Sequence, residues 1–439
     1  MARSAEGPSA PGAGAISEAY RRYVLGLLLV VYVFNFLDRQ ILTILLEPIK
    51  REFALSDVEL GLLGGLAFAF FYTLLGIPIA MWADRGVRRD IIALALFVWS
   101  AMTALTGWAT SFAGLLLARV GVGIGEAGGS PPSHSLLSDY YPAERRGFAL
   151  GVYAAGIPIG AAIGALAGGW IGACFGWRMA FLVVGLPGIL LALVVRLTLR
   201  EPPRGHADGV ALVGEAETLG RVLGFLLRLR SFRHLAFAAA LHAFYGYGAS
   251  TFLPSFLARV HEVPLGLRGT LFALILASGG IGNVLGGRLA DRLGARDPRW
   301  YLWVPGIGTL LGAPAAAVFY LWPTPYAAAA IGCLPAILGA MYLGPTFALT
   351  QTLVRPRMRA LASAILLFVI NLIGLGGGPT FVGWLSDRLE PVHGVEAVRY
   401  ALLSTVVVGA LWATFHYWAG ARSLGEDLRA KDRPGAPSR

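Results

Sequence analysis

The chain alternates long apolar runs with short polar breaks, and each run suffices to cross the roughly 30 Å hydrocarbon core of a bilayer as a helix. The runs fall at 22–46, 58–83, 90–110, 112–138, 147–172, 177–199, 233–257, 268–291, 300–322, 326–353, 359–386 and 397–419. Twelve transmembrane helices follow, an all-α membrane fold, and an even number returns both termini to one face. A long internal polar stretch, Glu201 to Arg230, parts six helices from six. The expected organisation is a disordered cytoplasmic tail over 1–18, a six-helix bundle over 19–200, a cytoplasmic linker over 201–232, a second six-helix bundle over 233–420 and a tail over 421–439. Within the linker Leu219, Val222, Leu223 and Leu226 recur at helical spacing opposite Arg221 and Arg228. That pattern predicts a short amphipathic helix lying on the membrane surface.

Composition and charge add orientation. Of 439 residues, 56% are hydrophobic and 14% charged, against about 25% charged in soluble domains. The net charge of +11 would suit nucleic acid, but the basic residues flank the apolar runs, so no nucleic-acid partner is expected. If the face bearing the termini is cytoplasmic, it receives 27 of the 36 Lys and Arg, the other face receives 7, and Arg39 and Arg119 stay within the membrane. This asymmetry places both termini in the cytoplasm, the membrane being a bacterial inner or plasma membrane. Cys174 and Cys333 lie in apolar runs without metal-ligand spacing, so neither a disulfide framework, a metal nor a cofactor is expected. The opening run, rich in Ala, Gly, Ser and Pro, lacks the apolar core and cleavage site of a signal peptide. A monomer is expected.

An internal repeat supports the division into halves. The hexad G-x-x-x-D-R closes helix eight as Gly287-Arg-Leu-Ala-Asp291-Arg292, and helix two with Ala80 in place of Gly, as Ala80-Met-Trp-Ala-Asp84-Arg85. The two aspartates are 207 residues apart, about one six-helix half. A third copy, Gly383-Trp-Leu-Ser-Asp387-Arg388, closes helix eleven at the opposite face. Three-helix units repeated with inverted topology and paired into parallel halves are a transporter pattern.

Charges inside the apolar runs mark the candidate site, since a charge at the bilayer centre costs a few kcal/mol and is expected to face a cavity or a partner. In helix four, Arg119, Gly123, Glu126 and Ser130 follow i, i+4, i+7, i+11 and share one face, with Gly123 leaving a gap; Gly121 and Gly125 offer a second, small-residue face for a neighbouring backbone. An Arg–Glu pair that merely locks helices together is the other reading. In helix one, Asn35 and Asp38 share a face while Arg39 points about 100° away. A buried acid holds its proton more tightly and releases it when an Arg approaches, so Asp38, Glu126 and Arg119 could load and unload a proton; a local Asp38–Arg39 pair is the structural alternative. Substrate contacts are expected from Asn35, Arg39, Arg119, Ser130, His134, Tyr153, His242, Tyr245, Asn283 and Asn371, although a satisfied interhelical hydrogen bond or aromatic packing explains several of them equally well. Tyr247 joins the helix-seven cluster. The run Gly374-Leu-Gly-Gly-Gly378-Pro379 interrupts helix eleven, either as a bending point or for close packing.

With these residues in hand, the chain resembles the major facilitator superfamily. The residues from Gly287 to Gly294, and Asp84-Arg85-Gly-Val-Arg88-Arg89 with the Gly shifted, resemble its helix 2–3 and 8–9 loop motif. Arg119 through Gly125 resembles its helix-four proton-coupling motif, and Gly156-Ile-Pro158-Ile-Gly160 partly copies a motif associated with antiporters. More narrowly, Asn35-Phe-Leu-Asp38-Arg39-Gln, Gly125-Glu126-Ala and Phe175-Gly-Trp-Arg178 resemble the Spinster branch, associated with sphingosine-1-phosphate export and lysophospholipid transport. The resemblance implies two six-helix halves rocking about a midplane cavity, a gate at Asp84, Arg85, Arg88, Asp291 and Arg292, and proton-coupled transport of an amphipathic organic anion, with protons and the bilayer as the other partners. Rivals are a multidrug or sugar-type proton antiporter and a non-transporting receptor or scaffold. No enzyme is expected, because no catalytic constellation has a recognisable spacing and the glycine runs lie within apolar helices.

Overall fold

A computed structural model describes residues 17–204, 218–355 and 358–431, with the side chains of residues 84, 143, 144, 147, 360, 430 and 431 outside that description. The membrane helices are α1 (Glu18–Phe53), α2 (Asp57–Gly61, Leu62–Leu66 and Ala67–Arg85), α3 (Arg88–Thr106), α4 (Phe112–Glu126 and Ser130–Tyr140), α5 (Ala143–Ala154 and Gly156–Phe175) and α6 (Trp177–Thr198). The second half holds α7 (Arg230–Arg259), α8 (Leu265–Gly294), α9 (Trp300–Leu321), α10 (Pro325–Ala340 and Leu343–Leu353), α11 (Arg359–Val369, Ile370–Gly377 and Gly378–His393) and α12 (Ala397–Lys431). Backbone polar groups inside a bilayer must be satisfied within the segment, which is why each apolar run becomes a helix.

Length and apolarity alone pick out ten spans among the described residues, one of which, Leu361–Arg429, contains both α11 and α12. The helix they pass over is α7. Its His242, Tyr245 and Tyr247 lower its hydropathy, and all three face a cavity rather than lipid. Each half thus has six membrane helices.

The runs read as single helices are broken in places. Helix α4 stops at Glu126 and resumes at Ser130, just ahead of Pro131 and Pro132, residues that lack the N–H needed to continue a helix. Its counterpart α10 breaks between Ala340 and Leu343. Helix α2 carries a π-helical turn at Leu62–Leu66 and α11 a longer one at Ile370–Gly377. Across the last of these, Cβ atoms on Gly374 and Gly378 would stand 2.4 Å from the Ala243 Cβ and 2.1 Å from the Phe244 carbonyl oxygen. Close packing on α7 therefore accounts for Gly374, Gly377 and Gly378, while Gly376 faces Leu66 and Ala69 of α2.

The linker helix Leu219–Arg228 forms as the spacing predicts, but its apolar side is divided: Val222 and Leu226 are buried while Leu219 and Leu223 stay exposed. Helix α12 runs past 420 to Lys431, into the stretch expected to be a tail. Leu424 is buried there, and Asp427 accepts a 2.6 Å hydrogen bond from the Ser231 N–H at the start of α7, an anion at a helix N-terminus.

The halves meet through α2 against α11, α1 against α7 and α5 against α8. Helix α1 begins on the same face where α6 ends, the Tyr20 hydroxyl donating to the Thr198 carbonyl at 2.8 Å. That face is called the terminal face below, and its opposite the far face.

Candidate functional site

Two acids and two arginines gather where α1, α2 and α4 meet. Arg39 reaches from α1 to α4, where its Nε donates to Glu126 Oε2 at 2.7 Å. The Glu126 side chain is fully buried, and Asn35 stands beside its carboxylate. The Arg39 guanidinium carbon lies 4.9 Å from the Phe36 ring centre, 4.6 Å from Phe68 and 4.9 Å from Tyr72, within cation–π range of all three. Phe68 is shared: Arg119 stands 4.7 Å from the same ring and donates from Nε to the Leu63 carbonyl at 3.2 Å, in the π turn of α2. Such turns often occur at functional sites. Among the described residues Arg119 has no ion pair. It shares with Asp38 and Thr103 a small pocket of about 10 Å³, at the lower limit for holding one water.

Several sequence expectations change here. Glu126 takes Arg39 as its partner, so neither the Arg119–Glu126 lock nor the local Asp38–Arg39 pair forms. The gap at Gly123 is filled by α2, because a Cβ there would stand 2.7 Å from the Phe68 carbonyl oxygen. Ser130 leaves the common face because the helix ends before it; it lies instead beside Tyr32 and Tyr153. The second small-residue face is present, with a Cβ on Gly125 falling 2.6 Å from the Trp99 backbone nitrogen.

Between the halves lies a cavity of about 410 Å³, lined by residues including Phe36 and Gln40 from α1, Pro158 from α5, and His242, Tyr245, Tyr247, Phe272, Asn283 and Tyr342 from the second half. The lining is mainly apolar and aromatic, the usual character of a small-molecule site. His242 is a node within it: Nδ1 sits 2.8 Å from the Tyr245 hydroxyl and 3.1 Å from that of Thr309, and Tyr342 stacks on the ring at 3.9 Å. His134 packs edge-on against Tyr153, which stacks on Tyr32 with ring centres 4.2 Å apart. Asn371 stands in the π turn of α11 and is not among the cavity's lining residues.

Of the expected gate residues, Arg88 is fully buried and tied within its own half to Asp139, to Ser135 at 3.0 Å and to Glu201 at 2.7 Å. Asp291 accepts from the Tyr301 hydroxyl at 2.9 Å, again within its half. Arg85 and Arg292 are exposed, and the Asp84 side chain lies outside the described residues. Among the described residues the charged contacts that span the halves are at the far face. Arg259 of α7 donates to Glu47 of α1 at 2.9 and 2.6 Å and to Asp57 of α2 at 2.6 and 2.7 Å, and Lys50 adds a 2.5 Å bond to Asp57. Asp387 of α11 accepts the Asp57 and Val58 N–H groups, each at 2.8 Å, and Ser386 donates to Asp57 at 2.6 Å. Sequence reasoning missed this latch, although two signals were available. Ser56 and Glu59 spell a capping box that announces the start of α2, and Asp387 belongs to the third hexad.

Asn35, Asp38, Arg39, Arg119, Glu126, Ser130, His134 and Tyr153, like Asn371, are not among the residues lining the central cavity, and the charge group meets it through Phe36, which lines it and carries Arg39 on its ring. Two broken helices, two six-helix halves and a buried charge group next to a central cavity define a membrane transporter. The Major Facilitator Superfamily model matches residues 28–379, and the chain belongs to that superfamily. Within it the chain falls in the Spinster branch. A solved bacterial homolog of the human lysosomal transporter Spinster, in an inward-facing and unoccupied conformation, superposes with a TM-score of 0.85 at 35% identity, covering 94% of this chain and 99% of that one. Among curated proteins, an MFS-type efflux pump of Mycolicibacterium smegmatis is 36% identical over 92% of this chain and 93% of its own length. The sphingosine-1-phosphate transporter SPNS2 of Mus musculus is 27% identical over 97% of this chain and 83% of its own length. The family is one of transporters, not enzymes.

Proposed function

We propose that the chain moves an amphipathic organic anion, of the sphingosine-1-phosphate or lysophospholipid kind, by proton-coupled alternating access. The observation that carries the coupling is the arrangement of Asp38, Arg39, Arg119 and Glu126: Glu126 holds Arg39 while Arg119, with no ion pair among the described residues, stands near Asp38. Protonating Glu126 would release Arg39 to an anionic head entering the cavity, and Arg119 is placed to stabilise whichever acid is ionised. The aromatic and aliphatic walls suit a tail. With the terminal face cytoplasmic, closure at the far face corresponds to an inward-facing state, as in the related Spinster homolog.

The test is flux into liposomes under an imposed pH gradient, using a panel of lysolipids, sphingoid phosphates and cationic drugs. Wild-type protein is expected to couple lipid movement to the gradient, and Glu126→Gln and Asp38→Asn to lose the coupling while remaining folded. If both variants keep wild-type proton-driven flux, the coupling assignment is wrong. The second reading is a multidrug or sugar-type proton antiporter, and the 36% identity to an MFS-type efflux pump favours export as its direction; stronger transport of cationic drugs than of lipids would select the multidrug form. No flux of any compound would select a receptor.

A further inference from the structure

A second cavity, also of about 410 Å³, opens at the far face between the halves and shares no lining residue with the central one. Charges of both signs line it. Glu47, Lys50, Asp57 and Arg259 are committed to the latch. The other two charged residues, Arg51 in the last turn of α1 and Glu390 near the end of α11, have no ion pair among the described residues. They belong to opposite halves.

We propose that this cavity is a binding site for a small zwitterion, a molecule carrying an ammonium and a phosphate or carboxylate a few bonds apart. Its anionic group pairs with Arg51, and its ammonium pairs with Glu390. A monovalent anion would satisfy one charge and face the other, whereas a zwitterion satisfies both; this is discrimination by unpaired charge as much as by attraction. An occupant touching both halves binds only while the far face is closed, so it stabilises that state and opposes opening. The same chemistry is found in a free aminoalkyl phosphate and in the head of a zwitterionic lysolipid.

The experiment follows the melting temperature of the purified full-length protein as phosphoethanolamine is added, and in a second arm as lysophosphatidylethanolamine is added. Wild-type protein is expected to be stabilised saturably by phosphoethanolamine at concentrations up to order 10 mM, and not by inorganic phosphate or ethanolamine alone. Arg51→Gln and Glu390→Gln, both at exposed positions, are each expected to raise the half-saturating concentration by about fivefold, the value of one partly exposed ion pair. If the two variants weaken both ligands, the lipid head is the occupant; if they weaken only phosphoethanolamine, the occupant is a soluble zwitterion. The proposal is overturned if wild-type protein gives no saturable response, if both variants respond as wild type, or if Arg119→Ala rather than Arg51→Gln abolishes the response. Because the readout is binding, a protein that moves no lysolipid still decides the question.

Discussion

Removing the arginine of the far-face latch should open that face. Arg259 makes four hydrogen bonds to Glu47 and Asp57, whose side chains are 5% and 3% exposed. Breaking a buried pair by deleting one partner costs about 3–5 kcal/mol; Lys50 still reaches Asp57, so we take about 3 kcal/mol, the lower end of that range. Each of the four Arg259 bonds joins the first half to the second, so the cost falls on the closed state and is absent once the far face opens. At about 1.4 kcal/mol per tenfold, the closed-to-open ratio falls by roughly two orders of magnitude in Arg259→Ala. The assay introduces Ser250→Cys into the central cavity, in a background with Cys174 and Cys333 replaced, and measures its labelling by an impermeant thiol reagent added at the far face. Labelling should accelerate by roughly a hundredfold, with Arg259→Lys in between because one ammonium cannot serve two carboxylates in a fork. A rate within about twofold of wild type, in a protein that still melts cooperatively, would refute the reasoning, since a lock worth that energy could not vanish without moving the equilibrium.

Asp387→Ala leaves two N–H groups at the start of α2 without their acceptor and should raise far-face labelling less than Arg259→Ala, by about 1–2 kcal/mol worth of population. Gly123→Ala should reduce thermal stability and transport together, because the added methyl meets the backbone of α2 and not a movable side chain; unchanged melting would contradict the packing. In the transport assay, a homologous series of lysolipids should compete more strongly by up to roughly 0.8 kcal/mol per added buried methylene until the cavity is full; a response flat in chain length would remove the lipid assignment and leave the fold untouched.

The twelve spans were legible because a bilayer forces each apolar run to satisfy its own backbone, and the buried charges were legible because charge inside such a run is rare. Partner choice was not. Helical spacing says that Arg119 and Glu126 share a face, but Arg39 on another helix captures Glu126, and which helix turns towards which is decided by packing such as the Phe68 carbonyl seated on Gly123. The break in α4 was half readable: Pro131 and Pro132 were in view, yet an apolar run carried the expected helix through them. Hydropathy also hid the reach of α12, whose last turns are charged but held by Leu424 and by Asp427 on the start of α7. The latch escaped because its residues lie at helix ends, where charge is ordinary.

The π-helical turns of α2 and α11 face each other across the boundary between the halves. A π turn takes up one surplus residue within a single widened turn, so the α-helical segments on its two sides keep nearly the phase they would have without it. In α2 the latch end, with Asp57, lies before the turn, and Phe68 with Tyr72, which hold Arg39, lie after it. Five π steps turn the backbone about as far as four α steps, so deleting a single residue such as Gly64 would return the segment to α-helical winding and leave the Asp57 end and the aromatic cradle in nearly their present phase. The surplus residue is therefore absorbed inside the turn: one rod keeps its face on the lock at the membrane surface and on the charge group in the interior, and the widened turn between them supplies the Leu63 carbonyl to Arg119.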